Sequence, residues 1–183
     1  MINREMVTSD KTLLRRVVRT AVKEMPEDEK RLSSQNICRS VKEHLAVCGA
    51  RVVALFSPLP DEPSIAPLIE ELSKNMLVVL PRVEGDIMQF YSYTSGSVSL
   101  GSFGIMEPEG TGIIEPWEID AMVVPGVAFT ADGARMGRGK GFYDKYLSQE
   151  GFRALKIGVC YPVQLVESLP VEEHDVRMDV VIY

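Results

Sequence analysis

The chain has 183 residues, of which 45% are hydrophobic and 25% charged, and it carries a net charge of −6. That length suits one compact domain with a core of its own, stable without disulfide or metal staples. The acidic balance argues against a protein that grips nucleic acid through phosphates, no apolar run approaches the ~20 residues needed to span a bilayer, and the opening MINREMVTSD lacks the charged-then-apolar pattern of a signal peptide, so a cytoplasmic protein without nucleic-acid or membrane partners is expected.

Residues 10–25 predict a helix: Leu14, Val17, Val18, Ala21, Val22 and Met25 form an apolar stripe at helical spacing, Ser9 or Asp10 caps the start and Pro26 stops it. Lys11, Arg15 and Arg19 recur every four residues on another face, which spacing alone reads as a solvated basic face. A second helix is predicted from about Pro26 to Cys48, with Gly49 as its stop and an apolar line through Ile37, Val41 and Leu45. The period then changes. Residues 51–56 (RVVALF) form the continuous apolar run of a strand buried on both faces, followed by the turn SPLPDEP, a short helix over Ser64–Asn75 and a strand over 76–80.

Strand, helix and strand within about thirty residues predict a βαβ unit and a parallel sheet. Residues 86–93 alternate as a further strand at an edge, and 94–119, rich in Gly, Ser, Pro and Glu, predict a long excursion over the surface. Buried strands are expected at 121–124, ending at Pro125-Gly126, at 154–160, and in the closing MDVVIY; Phe142–Gln149 suits one or two helical turns, and Val163–Ser168 is predicted helical. No repeat, low-complexity segment or linker divides the chain. The expected fold is α/β: a single domain over 1–183 with a mostly parallel sheet flanked by helices, Rossmann-like.

Cys38, Cys48 and Cys160 are odd in number and widely spaced, which fits reduced, buried thiols and neither a disulfide framework nor a zinc site. With only His44 and His174 available, any metal must be held mainly by oxygen, which points to magnesium. Residues 1–50 hold ten Lys/Arg against seven Asp/Glu, a net +3, and the rest ten against nineteen, or −9. That asymmetry suggests one local anion site.

The most unusual stretch, VPGVAFTADGARMGRGKGFYDKYL (124–147), begins at the carboxyl end of a predicted buried strand, where open α/β sheets place their ligands. Gly133, Gly137, Gly139 and Gly141 are interleaved with Arg135, Arg138 and Lys140. Glycines allow backbone N–H groups to turn toward an oxyanion, and the cations supply the charge that a triphosphate requires. A helix opening near Phe142 adds its amino terminus. The pattern is neither a Walker A loop nor G-x-G-x-x-G. Asp144, directly after the loop, and Asp179, inside the final apolar run, suit a divalent cation beside phosphate. Salt bridges to Arg177 or Lys145 are the plain alternative, and spacing does not separate the two.

The segment PGVAFxxxGxRxGRGKGFYDxYL resembles the signature of the 5-formyltetrahydrofolate cyclo-ligase (5,10-methenyltetrahydrofolate synthetase) family. The resemblance extends through KxxLR (11–15), FSPLPDE (56–62), LPRV (80–83), GIxEP (104–108) and LPxExHD with Asp179 (169–179). It implies an ATP-dependent ligase of folate and one-carbon metabolism, with ATP as co-substrate and Mg2+ as cofactor. In the family's reaction the formyl oxygen of 5-formyltetrahydrofolate attacks the γ-phosphate, N10 attacks the activated carbon, and phosphate leaves.

By this resemblance Lys11 and Arg15 contact ATP phosphates, and Gly133, Arg135, Gly137, Arg138, Gly139, Lys140 and Gly141 form the main ATP-binding segment. Arg138, Lys140 and Tyr143 are the expected catalytic residues, Asp144 and Asp179 the magnesium-linked acids, and Phe56 and Glu62 the folate contacts, Glu62 facing the donor edge of the pterin. Pro63-Ser64 departs from the family's commoner acidic-Thr pattern, and Phe142 replaces the first of two tyrosines. A monomer or weak dimer is expected. The rival readings are an isomerase or CoA-transferase-like enzyme without ATP, since fold alone does not fix activity, and a non-catalytic nucleotide sensor or RNA-binding module.

Overall fold

A computed structural model of the chain describes residues 10–101, 106–110 and 112–183. Residues 1–9, where no signal peptide is expected, and 102–105 and 111, within the expected excursion and partly in its GIxEP block, lie outside the described residues.

Two helices open the fold. Helix α1 (Lys11–Glu24) starts where the Asp10 carboxylate accepts the Thr12 and Leu13 amides, at 2.8 and 3.2 Å. Helix α2 (Glu27–Cys48) follows Pro26 and ends at Gly49 in the left-handed conformation. The sheet then builds from β1 (Val52–Ala54), α3 (Ala66–Leu72) and β2 (Leu77–Glu84), the expected βαβ unit, with β1 and β2 parallel.

Strand β3 (Ile87–Ser92) runs antiparallel to β2, and outside it lies the two-residue β6 (Ile113–Ile114). The expected surface excursion contains a small hairpin, β4 (Val98–Leu100) with β5 (Met106–Pro108), and it is not wholly superficial, because Glu107 and Pro108 are buried. After β7 (Ala121–Pro125) come the short hairpin β8 (Ala128–Phe129) and β9 (Arg135–Met136), helix α4 (Phe142–Leu147), β10 (Leu155–Val159) and β11 (Val180–Ile182). The expected helix over 163–168 is a single 3-10 turn, Pro162–Gln164. Buried Gln164 fixes it there: its side chain accepts the Tyr161 amide at 2.8 Å and donates to the Gly126 and Val127 carbonyls, both at 3.0 Å.

The seven strands lie in the order β11-β10-β7-β1-β2-β3-β6, the first five parallel. Period-2 alternation sorts their side chains onto two faces. Val53, Leu55, Val78, Leu80, Ala121 and Val123 meet Ile37, Val41 and Leu45 of α2 and Leu68, Ile69 and Leu72 of α3. Ala54, Val79, Met122 and Val124 meet Phe90, Phe129, and Tyr146 and Leu147 of α4. Helix α1 stands apart from both layers, burying Leu14 and Val18 against Val127, Ala128 and Met136. Among the described residues, no helix is long and apolar enough to cross a membrane.

Candidate active site

The chain runs from β1 to β2 on one side and later returns through β7 on the other, so the strand order reverses at β1/β7. Ligands of open α/β sheets bind at such a point, beyond the carboxyl ends of the strands. A cavity of about 590 Å3 lies there, with Phe56 and Ser57 following β1 and Pro125 and Gly126 ending β7. Its other walls come from α1, the 135–144 segment, β2 and β3, and the 172–175 tail.

Lys11 and Arg15 of the basic face of α1 are turned onto the protein, not into solvent as spacing alone suggests, while Arg19 stays largely exposed. Lys11 donates to Glu172 at 2.8 Å and Asp175 at 3.1 Å, Arg15 donates through Nε to the Gly137 carbonyl at 2.8 Å, and Arg19 donates to Asp61 at 3.0 Å. Burial alone would lower the Lys11 ammonium, but the two carboxylates reverse this and raise it. Lys11 and Arg15 both line the cavity.

The glycine-rich loop meets this face. Gly139 adopts φ +99°, a left-handed turn that glycine takes without strain, and a Cβ there would make only ordinary contact, 3.7 Å from the Arg15 guanidinium. Arg138 reaches across the cavity, donating to Glu62 Oε1 through Nε (3.1 Å) and an Nη (2.9 Å), and to Asp61. Lys140 is exposed and has no ion pair among the described residues. Arg135 has turned inward: its side chain is 3% exposed, pairs with Asp144 at 2.8 Å, donates to the Pro125 carbonyl at 3.3 Å, and lies 5.5 Å from the centre of the Tyr143 ring.

Opposite the loop, buried Phe56 and Glu62 face Pro81, Val83 and Met88 of β2 and β3 and the buried Glu107. Glu62 is 6% exposed, and its Oε2 accepts the Leu59 amide at 3.0 Å. Burial pushes its carboxyl above the ordinary 4.5, outweighing the Leu59 amide and the Arg138 guanidinium that pull it down. Asp61 goes the other way: burial would raise it, yet the donors from Arg138 and Arg19 outweigh that and hold it below 3.8. Desolvation, with the nearby Glu62 charge, raises the Tyr143 hydroxyl well above its ordinary range, so it stays a neutral phenol that can offer a hydrogen bond without giving up its proton.

The cavity thus brings together Lys11, Arg15, Phe56, Glu62, Arg135 and Arg138 with Gly137, Gly139, Lys140, Gly141, Tyr143 and Asp144. Two expected residues lie elsewhere. Gly133 sits in the β8–β9 turn, its carbonyl accepting the Met178 amide at 2.8 Å. Asp179 precedes β11 and accepts the Lys156 amide and ammonium, both at 2.8 Å, at the amino-terminal end of the strands and remote from the cavity. The two acids expected on one magnesium ion are therefore apart, and each is neutralised by a cation that spacing did not indicate: Arg135 for Asp144 and Lys156 for Asp179. Among the described residues no three His, Cys, Asp or Glu side chains are grouped to hold a metal ion; of the two expected acids Asp144 alone lines the cavity, and magnesium bound with a nucleotide needs only one or two carboxylates beside phosphate and water.

Reading the sequence missed Asp61, Glu107, Glu172 and Asp175. Three had a visible signal, since Asp61 precedes Glu62 in FSPLPDE and Glu172 and Asp175 belong to LPxExHD. Glu107 had only the acid of GIxEP.

A mostly parallel sheet with a cation-lined, glycine-rich loop at its switch point defines an α/β protein with a basic rim beside a largely apolar chamber. Comparison with known proteins narrows this. The model of the 5-formyltetrahydrofolate cyclo-ligase family matches residues 7–183, and the chain belongs to that family, which is one of ATP-dependent ligases. It is 34% identical to the 5-formyltetrahydrofolate cyclo-ligase of Mycolicibacterium smegmatis, over 71% of this chain and 72% of that one. It is 28% identical to that of Escherichia coli K12, over 86% and 90%. The solved structure of 5,10-methenyltetrahydrofolate synthetase from Aquifex aeolicus is similar with a TM-score of 0.84 at 35% identity, covering 94% of this chain and 88% of that one.

Proposed function

We propose that the cavity at the β1/β7 switch point is where the chain closes 5-formyltetrahydrofolate to 5,10-methenyltetrahydrofolate at the expense of ATP. One observation carries the reading: a phosphate-suited rim (Lys11, Arg15, Arg138, Lys140) and a buried carboxylate in a largely apolar wall (Glu62, Phe56) share a single chamber, in a chain of this family.

In the first step the formyl oxygen attacks the γ-phosphorus and ADP leaves. In the second, N10 attacks the formyl carbon and loses its proton, and the C–O bond breaks to release phosphate. A formamide oxygen is a poor leaving group, and phosphorylation makes it a good one. The protein's task in phosphoryl transfer is positioning and charge neutralisation. Arg15 and Lys140 have no ion pair among the described residues and suit the triphosphate directly, as does Arg138 once released from its carboxylates. Glu62, an acceptor, suits the N–H edge of the pterin, and Phe56 its ring. Tyr143, kept protonated, suits donation to the reacting oxygen. Arg135 acts through position, holding Asp144 and the Pro125 carbonyl, and Asp144 is its counter-charge at the cavity; a magnesium ion accompanying ATP would take its ligands mainly from phosphate and water, with Asp144 the expected acid within reach of the chamber. The partners in this reading are the two substrates alone.

The test is the near-ultraviolet absorbance of the methenyl product on mixing the protein with 5-formyltetrahydrofolate and Mg-ATP, with an ATP-free control. An ATP-dependent rise is expected; no rise from folded protein would overturn the assignment.

A further inference from the structure

Arg138 belongs to the phosphate-suited loop, yet its hydrogen bonds go to the opposite wall. Its Nε and one Nη donate to Glu62 Oε1, at 3.1 and 2.9 Å, and the guanidinium also donates to Asp61, at 3.2 Å through the other Nη. The two acids are not equally dependent on it. Asp61 has a second cation, Arg19 of α1, at 3.0 Å. Among the described residues the Glu62 carboxylate has, besides Arg138, only the Leu59 amide, and that reaches Oε2 at 3.0 Å. Among the described residues, Oε1 of this buried carboxylate has no donor other than Arg138.

Any ligand that draws Arg138 away leaves Oε1 desolvated and unsatisfied, which is costly for a buried carboxylate. Any ligand whose N–H groups claim Glu62 must displace the guanidinium, which then lacks part of its own neutralisation. Each ligand alone strands a group that the other would satisfy. We propose that Arg138 couples the two substrates: phosphate takes the guanidinium as the N–H edge of the folate takes Glu62, so each ligand binds more tightly when the other is present. This rests on the assignment of the cavity to ATP and 5-formyltetrahydrofolate. Arg138 lies between Gly137 and Gly139, and the left-handed φ of Gly139 places the side chain on a turn that glycine alone adopts without strain.

Such coupling is reciprocal, with one factor acting on both affinities. The experiment is calorimetric titration of 5-formyltetrahydrofolate into the protein, with and without a saturating non-hydrolysable β,γ-imido analogue of ATP, and the reverse titration. Wild type should show a mutual enhancement of about tenfold, equal in the two directions. In Arg138→Gln the ratio should fall close to one. Glu62→Gln should lower it as well, because a neutral amide holds the guanidinium less firmly, and this second variant guards against a folding defect in the first. Independent binding in wild type, or a ratio that survives in both variants, would overturn the coupling while leaving the proposed reaction in place. Failure of either ligand to bind the folded wild type would overturn the reaction and the coupling together.

Discussion

The Arg135 guanidinium is desolvated, and its charge is met by one carboxylate, Asp144, whose side chain is 13% exposed. Among the described residues its Nε has no acceptor. Removing one partner of such a pair leaves an uncompensated charge, whereas removing both is far less harmful. Asp144→Asn should therefore lower stability by about 3 kcal/mol, measured by urea unfolding at neutral pH, and Arg135→Met in the same chain should recover most of the loss. An Asp144→Asn variant as stable as wild type would show that the pair contributes nothing to folding. The same reasoning explains why Glu62 and Asp61, adjacent in sequence and bound to one guanidinium, move apart in acidity: Asp61 has two cations and greater exposure, and Glu62 has one cation and deeper burial.

The turn between β8 and β9 separates two kinds of glycine in one loop. At Gly133, with φ +91°, a Cβ would lie 2.2 Å from the Met178 carbonyl oxygen, so backbone meets backbone with nothing flexible to yield. At Gly139 the nearest neighbour is the end of a long side chain, 3.7 Å away. Gly133→Ala should cost about 3 kcal/mol or more, adding left-handed strain to an overlap that only backbone movement relieves, and should leave the ATP KM of the folded fraction unchanged. A raised ATP KM with wild-type stability would return Gly133 to the nucleotide site.

Elements whose pattern is local were legible in the sequence: the apolar stripe of α1, the runs of β1 and β7, and the punctuation at Pro26 and Gly49. The β4–β5 hairpin was not, since strands of three residues carry no period, and the turn at Pro162–Gln164 is fixed by distant carbonyls that no local pattern reveals. The site divides similarly. The loop was recognisable by residue type and the Lys11/Arg15 face only through the family resemblance, while their counter-charges, Asp61, Glu172 and Asp175, depend on which segments the fold brings together.

Across the whole molecule the cavity is assembled from segments of unequal anchorage. The β1 and β7 walls belong to the central sheet, packed on both faces. Helix α1, which contributes Lys11 and Arg15, is held by two small clusters, Leu14 and Val18 on the β8–β9 hairpin and Val22 and Met25 on Tyr161, together with the charged contacts to Gly137, Asp61, Glu172 and Asp175. A helix of 14 residues is marginal alone and depends on such docking. It should open below the free energy of global unfolding, as segments with few buried apolar contacts do. Hydrogen exchange of the free protein should then show α1 amides exchanging faster than those of β7 and β10. If a triphosphate bridges Arg15 and Lys140, opening α1 must release it, and ATP at 100 times its Kd should slow α1 exchange by about 100-fold, or about 2.7 kcal/mol. Free-protein protection of α1 equal to that of β7 would show the helix to be part of the core. Protection unmoved by saturating ATP would remove Lys11 and Arg15 from the nucleotide site, leaving their contacts to Asp175 and Gly137 as purely structural ties.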